Sequence, residues 1–418
     1  MNILFLNSAF LIKELFIKFL NQLREIIPLQ IINFFLLVSD TEFLYKGAKN
    51  RYRNASLLKK IIIVRTDALG DYVLWQNYLR ALKAFYGPDE YEFILIGNSL
   101  WTSLAEDTGY FKKVIPLHRK RFIKNLEYRS DFINEIRSEH FDLLINPVFS
   151  RDFAVNDSVC RFIRAKRKIT FKRDHKAELF FWNWLSNKWY TDQIKTDQDF
   201  ERELIRNNAL LKHLEIPLLP VSLPVLINKT SLSFIPKNYF IYFPGAGAQR
   251  RQWELLKACE LIKKIFSSTD LSCYVCGSEN ESYLAEELIN SCSDNKERFK
   301  DQTGKTDLLQ LKEMISNSQF CIGNETGTIH LAASLNVPSV SVVGGGHFER
   351  FMPYPDEVKG NKPAAVFKEM DCFYCNWRCR YVADKHEVVP CISNVTTDMV
   401  WLKVKPLLTK DRKLENVQ

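Results

Sequence analysis

Two short, unbroken runs of β-branched and aromatic residues constrain this chain most, because each ends directly in a glycine-bearing loop and a helix. The first is Ile61-Ile62-Ile63-Val64, entered from Lys59-Lys60 and followed by Arg65-Thr66-Asp67-Ala68-Leu69-Gly70-Asp71. The second is Tyr239-Phe240-Ile241-Tyr242-Phe243, followed by Pro244-Gly245-Ala246-Gly247-Ala248. A strand that is apolar on both faces must be covered on both, which is the situation of a parallel sheet sandwiched by helices.

Each run opens a series in which strand and helix alternate. After the first come a helical stretch with Val73, Leu74, Tyr78, Leu79, Leu82 and Phe85 on one face, then strands at 92–96, 114–117 and 142–146 separated by helices. After the second come a helix over 253–266, a strand at 271–275, helices at 281–290 and 307–317, a strand at 320–322, a helix at 328–335 and a strand at 339–343. This predicts an α/β chain of two Rossmann-like, doubly wound domains facing a cleft, with ligands held beyond the carboxyl ends of the strands. Pro217, Pro220, Pro224 and Pro236 mark the linker between them. The expected organisation is a helical N-terminal extension and basic linker (1–58), a first domain (59–228), a second domain (229–365), and a cysteine-rich segment with a tail (366–418).

The N-terminal stretch is apolar but interrupted by Lys13, Glu14, Lys18, Arg24 and Glu25. Its longest uncharged run, Ile26 to Ser39, is about 14 residues, short of the ~20 that a spanning helix needs. Phe10, Leu11, Leu15, Phe16, Phe19 and Leu20 fall at helical spacing. An amphipathic helix lying on a membrane fits that pattern, and so does a helix packed on the following domain. No secretory signal is evident, so a cytoplasmic location is expected, peripheral on the inner face of the membrane if the amphipathic reading holds. The net charge of +9, from 58 Lys and Arg against 49 Asp and Glu, suits phosphates or an anionic membrane surface. Helix-turn-helix, finger and RNA-binding signatures are lacking, which argues against nucleic acid as a partner.

The strand-end loops carry the chemistry. Gly323-Asn324-Glu325-Thr326-Gly327 joins a strand to a helix, whose free N–H groups and positive dipole end suit a phosphate. Gly327 allows close backbone approach, and Glu325 can accept hydrogen bonds from sugar or ribose hydroxyls. The plainer reading is an ordinary helix start capped by Thr326. Pro244–Ala248 followed by Arg250-Arg251 suits a pyrophosphate, since arginine stays charged and donates in pairs. The loop lacks a full G-x-G-x-x-G, which weakens a nicotinamide-cofactor reading. Gly304-Lys305-Thr306 is not a P-loop, because Phe299 stands where that motif needs glycine. Asp67 and Asp71 bracket the first strand-end loop, one expected as general base and one as helix cap.

Cys372, Cys375, Cys379 and Cys391 have the spacing of a four-cysteine zinc site, or are reduced thiols among Phe373, Tyr374, Trp377 and Tyr381. Basic stretches at 112–129 and 161–176 could hold a phosphorylated glycolipid or simply face water.

Taken in order, Ile63–Asp71, Phe243–Ala246, Arg251-Gln252-Trp253, Cys276-Gly277-Ser278-Glu279, Gly323–His330 and Leu331-Ala332-Ala333 resemble glycosyltransferase family 9, the lipopolysaccharide heptosyltransferases and their relatives. The similarity spans roughly residues 59–355, matching poorly between 150 and 225. It implies a GT-B fold and an inverting transfer without a catalytic metal. The donor would be a nucleotide-diphosphate sugar, ADP-linked by preference, and the acceptor a lipid-linked glycan or oligosaccharide. By that resemblance Asp71 deprotonates the acceptor hydroxyl, and Arg251 neutralises the leaving pyrophosphate. Thr326 and Gly327 offer N–H groups to the phosphates, Glu279 reaches the ribose, and His330 lines the pocket. Glu325 stands where the family has Asp, and Arg251 where it has Lys. A nucleotide-binding protein without transfer activity, and a Rossmann oxidoreductase, are the competing classes.

Overall fold

A computed structural model of the chain describes residues 29–41, 58–172, 180–196, 202–226, 238–382, 384 and 386–408. The expected amphipathic stretch at Phe10–Leu20 and the basic residues Lys46 to Arg53 lie outside them. The chain divides into two compact units, one of residues 1–66, 90–98 and 115–195, the other of 67–89, 99–114 and 196–418.

The first unit is built on a parallel sheet of β1 (Lys59–Arg65), β2 (Tyr91–Asn98), β3 (Lys113–Leu117), β4 (His140–Asn146), β5 (Arg164–Phe171) and β6 (Asp192–Ile194), in the order β3-β2-β1-β4-β5-β6. Ile62 pairs with Ile94 on one side and Leu144 on the other, and all three are buried. The apolar run at 61–64 is therefore the centre of the sheet. β5 lies inside the basic stretch 161–176: its first residues are charged and largely accessible, and its last three, Ile169, Thr170 and Phe171, are buried.

A helix over residues 29–41 packs on this unit. Leu36 enters the core with Ile62 and Phe132. Asp40 takes paired bonds from the Arg129 guanidinium at 2.7 and 2.6 Å, with both side chains buried. Burying that pair is supported by the further bonds Arg129 donates to Ala154 O and Ser158 Oγ. Residues 29–41 thus form a helix packed on the first unit. No helix among the described residues is long and apolar enough to cross a membrane.

The second unit repeats the plan with β7 (Tyr239–Phe243), β8 (Ser272–Val275), β9 (Phe299–Asp301), β10 (Cys321–Asn324), β11 (Ser339–Val342) and β12 (Ala364–Val366), in the order β12-β11-β10-β7-β8-β9. Counted from its own first strand, that is the same order as the first sheet. The strand order reverses between β7 and β10, and ligands of such sheets bind at the carboxyl ends beside that point. Cys259, on the helix Leu255–Ser268, and Cys292, which closes the helix Ser282–Ser291, are joined as a disulfide with Cα atoms 5.8 Å apart.

Residues 67–89 and 99–114 precede this unit in sequence but group with it. The Trp101 indole donates to Asp67 O at 3.0 Å and stacks on Tyr72 with ring centroids 4.1 Å apart. Asp107 pairs with the buried Lys312. The helix Leu69–Leu74, which carries Asp71, is thereby fixed against the second sheet's loops.

Candidate functional site

Four loops at the carboxyl ends of β7, β8, β10 and β11 build the site, and their glycines permit it. A Cβ on Gly323 would lie 2.8 Å from Phe243 Cβ and 2.9 Å from Phe243 O, so β10 can press against β7 only without a side chain there. Asn324, almost fully buried, ties the loops together. Its amide nitrogen donates to Pro244 O at 2.9 Å and Gly245 O at 3.1 Å, and its oxygen accepts from Trp253 N at 2.9 Å. Removing that side chain would orphan two buried carbonyls and one N–H.

The helix Gly327–Ser334 begins at Thr326, but the Thr326 hydroxyl makes no capping bond to it. That hydroxyl instead contacts Thr328 Oγ1 at 2.9 Å and Asn324 O at 3.3 Å. The capping explanation of this threonine therefore fails. Ile329 N already donates to Thr326 O at 3.2 Å, so an anion at this helix start would meet the N–H groups of Gly327 and Thr328 and the positive end of the helix dipole.

Two adjoining hollows share Thr326. One, of about 400 Å³, is lined by Gly245, Ala246, Gly277, Ser278, Glu281, Thr306 and Asp307, among others. The other, of about 230 Å³, brings Asp71 together with Arg251, Glu325, Thr326, Gly327 and His330. Six of the seven residues singled out from sequence meet there. Glu279 does not: it is exposed, at the start of a short 3-10 turn. Glu281, two residues on, lines the larger hollow instead. Its Oε2 accepts from Ser278 N and Ser278 Oγ, both at 2.7 Å, and a Cβ on Gly245 would collide with its carboxylate at 1.6 Å. The signal for Glu281 was the Ser278-x-x-Glu281 capping box.

The electrostatics of the smaller hollow are set by burial. Desolvation pushes the Glu325 carboxyl up to about 8, against the opposing pull of Arg251, so near neutral pH it is mostly protonated and can donate as well as accept. Burial lowers His330 to about 4, leaving a neutral ring whose Nδ1 meets the Tyr354 hydroxyl at 2.8 Å. His347 is likewise held near about 4, by burial first and by Arg350 next, and its Nε2 meets Asn376 Oδ1 at 2.6 Å. The Arg251 guanidinium lies 4.0 Å above the Trp377 ring, and its Nε has no hydrogen-bond partner among the described residues.

Trp377 is a second residue, besides Glu281, that sequence reasoning missed. It belongs to the cysteine-rich segment, which folds over Gly344-Gly345-Gly346 after β11: Tyr374 N donates to Gly345 O at 2.7 Å and Asn376 N to Gly346 O at 2.9 Å. A Cβ on Gly345 would strike Phe373 at 2.2 Å, and one on Gly346 would strike Trp377 at 2.3 Å. The three consecutive glycines were the available signal, since such a run marks close packing. Cys372, Cys375, Cys379 and Cys391 line one small cavity of about 10 Å³ in this segment. As placed, no group of three or more His, Cys, Asp or Glu among the described residues is arranged to hold a metal ion.

The sequence model of glycosyltransferase family 9 (heptosyltransferase) matches residues 129–373, more than half of the chain. The chain belongs to glycosyltransferase family 9. Among curated relatives, lipopolysaccharide heptosyltransferase 1 of Campylobacter coli is 24% identical over 316 residues, covering 68% of this chain and 84% of that protein. Two solved structures share the fold. E. coli ADP-heptose lps heptosyltransferase II aligns with a TM-score of 0.63 at 17% identity, over 84% of this chain and 98% of its own. E. coli heptosyltransferase WaaC with ADP-2-deoxy-2-fluoro heptose aligns at 0.60 and 16%, over 83% and 99%. This family 9 chain is thus a glycosyltransferase of the GT-B fold, and the hollows described lie on the loops of its second sheet.

Proposed function

We propose that the protein moves a sugar, a heptose or another, from a nucleotide-diphosphate donor to a hydroxyl of a lipopolysaccharide-core, O-antigen or other lipid-linked glycan, with inversion and without a catalytic metal. The observation that carries this is the meeting of Asp71 with Arg251, Glu325, Thr326, Gly327 and His330 around one hollow. The nucleoside would occupy the larger hollow, with Glu281 in reach of its ribose, and the diphosphate would lie across Thr326 toward Arg251. An ADP-linked donor is favoured by the ADP-bound and ADP-heptose-named relatives.

The acceptor oxygen would attack the anomeric carbon from the side opposite the diphosphate and give its proton to the Asp71 carboxylate. The bond from that carbon to the diphosphate oxygen breaks, its electron pair stays on that oxygen, and the leaving nucleoside diphosphate gains one negative charge beyond the two it already carries. Arg251 and the first-turn N–H groups of the helix Gly327–Ser334 would stabilise that charge as it develops. Arg251 is suited to this, because its guanidinium stacks on Trp377 and its Nε has no hydrogen-bond partner among the described residues. Protonated Glu325 would contact the transferred sugar through a neutral hydrogen bond rather than a charge. Neutral His330 would wall the hollow without adding a charge of its own.

A structural zinc ion on Cys372, Cys375, Cys379 and Cys391 belongs to the same proposal. The four line one cavity, but as placed they form no metal-holding group among the described residues, so zinc would have to draw the thiols together. Elemental analysis of the purified chain tests it: about one zinc per chain is expected, and a metal-free, fully folded chain would contradict it. The donor is tested by a thermal-shift screen of nucleotide-diphosphate sugars beside NAD. Stabilisation by an ADP-sugar is expected, and stabilisation by NAD alone would favour an oxidoreductase.

A further inference from the structure

We propose that the first unit carries a docking face for an anionic phospholipid bilayer, formed by the helices at residues 29–41 and Phe180–Asn187 together with a basic groove beside them. Both helices are amphipathic in the inverse sense. The helix over 29–41 turns Asn33, Leu36 and Asp40 inward and buries them, while Ile31, Phe34, Phe35 and Val38 point outward, each at least half exposed. The helix Phe180–Asn187 buries Trp182, Asn183 and Ser186 and presents Phe180, Phe181 and Trp184. Large apolar side chains turned to water on two packed helices, with polar ones beneath, make a patch of the kind that marks an interaction surface. The two helices are neighbours, since the Trp182 indole donates to the Gln30 side chain.

Charge complementarity selects the occupant. A groove of about 470 Å³ in the same unit is lined by Arg137, His140, Arg161, Arg164, Lys166 and Lys168, with no carboxylate among the described residues that line it. Lys166 pairs with Asp142 at 2.7 Å, Lys168 donates to Cys160 O at 2.8 Å, and Arg161 lies over the Phe162 ring, 5.3 Å from its centroid. The groove adjoins the apolar face. Arg161 lies 4.9 Å from the Trp189 ring, which contacts Phe153 at 5.3 Å, which in turn contacts Trp182 at 4.6 Å. Burial lowers the Arg161 pKa, and Asp40, on the helix over 29–41, is near enough to act in the opposite direction. Lys188 Nζ sits 3.5 Å from the Trp184 ring centroid, keeping a cation at the rim of the apolar patch. Aromatic and aliphatic side chains flanked by arginine and lysine match the interface of a bilayer rich in acidic headgroups. The choice of a lipid surface rests on the proposed lipid-linked acceptor; the face itself does not.

The test is co-sedimentation of the full chain with phosphatidylcholine vesicles with and without phosphatidylglycerol, at low and high salt. Wild type is expected to bind the phosphatidylglycerol vesicles and to be weakened by salt. The triple variant Phe34→Ser, Phe35→Ser, Trp184→Ser is expected to lose roughly tenfold or more in partitioning. The double variant Arg164→Gln, Arg161→Gln is expected to lose the phosphatidylglycerol preference. All substituted apolar side chains point outward, and nucleotide binding measured on the same samples reports folding. Nucleotide binding without vesicle binding by wild type overturns this inference and leaves the transferase reading intact. Vesicle binding by the triple variant equal to wild type overturns it as well. So does a concentration-dependent dimer, by light scattering, that the triple variant loses, since the face would then seat a second copy.

Discussion

Gly70 and Gly327 face each other so closely that a Cβ on Gly327 would stand 2.8 Å from the Gly70 nitrogen, and one on Gly70 would stand 3.4 Å from Gly327 Cα. Asp71 follows Gly70 directly and Thr326 precedes Gly327. The contact of two glycines therefore sets how near the expected base comes to the expected phosphate site. In Gly327→Ala the new Cβ would meet the Gly70 backbone nitrogen at 2.8 Å and the Leu69 side chain at 2.9 Å, so both must give way. A loss of about 1–3 kcal/mol in stability is expected from the forced separation, together with a fall in transfer rate larger than the fall in nucleotide affinity. Chemical denaturation beside steady-state kinetics checks it; wild-type kinetics in a destabilised variant would count against the positioning argument.

Glu325 supplies a pH dependence with a definite sign. Unfolded, a glutamate titrates near 4.5; in the folded chain this one titrates near about 8. Between those values the folded state holds a proton that the unfolded state has lost. The contribution of this group is therefore fully present below about 4.5 and declines as pH rises toward about 8. Glu325→Gln keeps a neutral hydrogen-bonding group of similar shape and cannot ionise. Its Tm is expected to fall less than that of wild type between pH 5 and pH 8 (roughly the window those two pKa values bracket). Parallel curves for the two proteins would mean that Glu325 is already ionised in the fold.

Trp377 ties the cysteine-rich segment to catalysis through Arg251, whose guanidinium lies 4.0 Å over its ring. Trp377→Ala removes that platform at a cost of about 1 kcal/mol, or roughly fivefold in donor affinity. Trp377→Phe should retain part of it. Donor KM for the three proteins is the readout, and an unchanged KM in the alanine variant would separate the segment from the site.

The pattern of recognition follows from physics that is local in some places and not in others. The strands at 61–64 and 239–243 announce themselves because both faces are buried, so every residue is apolar. β5 does not, because its first residues, Arg164 to Lys168, lie toward the accessible end of the strand and read as a charge run. The loop Gly323–Gly327 was readable as a phosphate-friendly helix start from its residues alone. Asp67 and Asp71 were both readable as strand-end carboxylates, but the choice of Asp71 as its partner came through family resemblance, because the Gly70–Gly327 contact joins residues 257 positions apart. Glu281 was hidden behind Glu279: both follow the same strand, and only the capping geometry with Ser278 turns the later one into the hollow. Trp377 was read as one aromatic among several near the cysteines, since nothing local reveals which ring will lie under Arg251.

The central claim is that Asp71 takes the proton of the acceptor hydroxyl, and Asp71→Asn tests it most directly. The substitution preserves size and removes the base. Sugar transfer, measured with the donor that the thermal-shift screen identifies, is expected to fall by about 100-fold or more while nucleotide affinity changes little. Transfer at close to the wild-type rate would contradict the account.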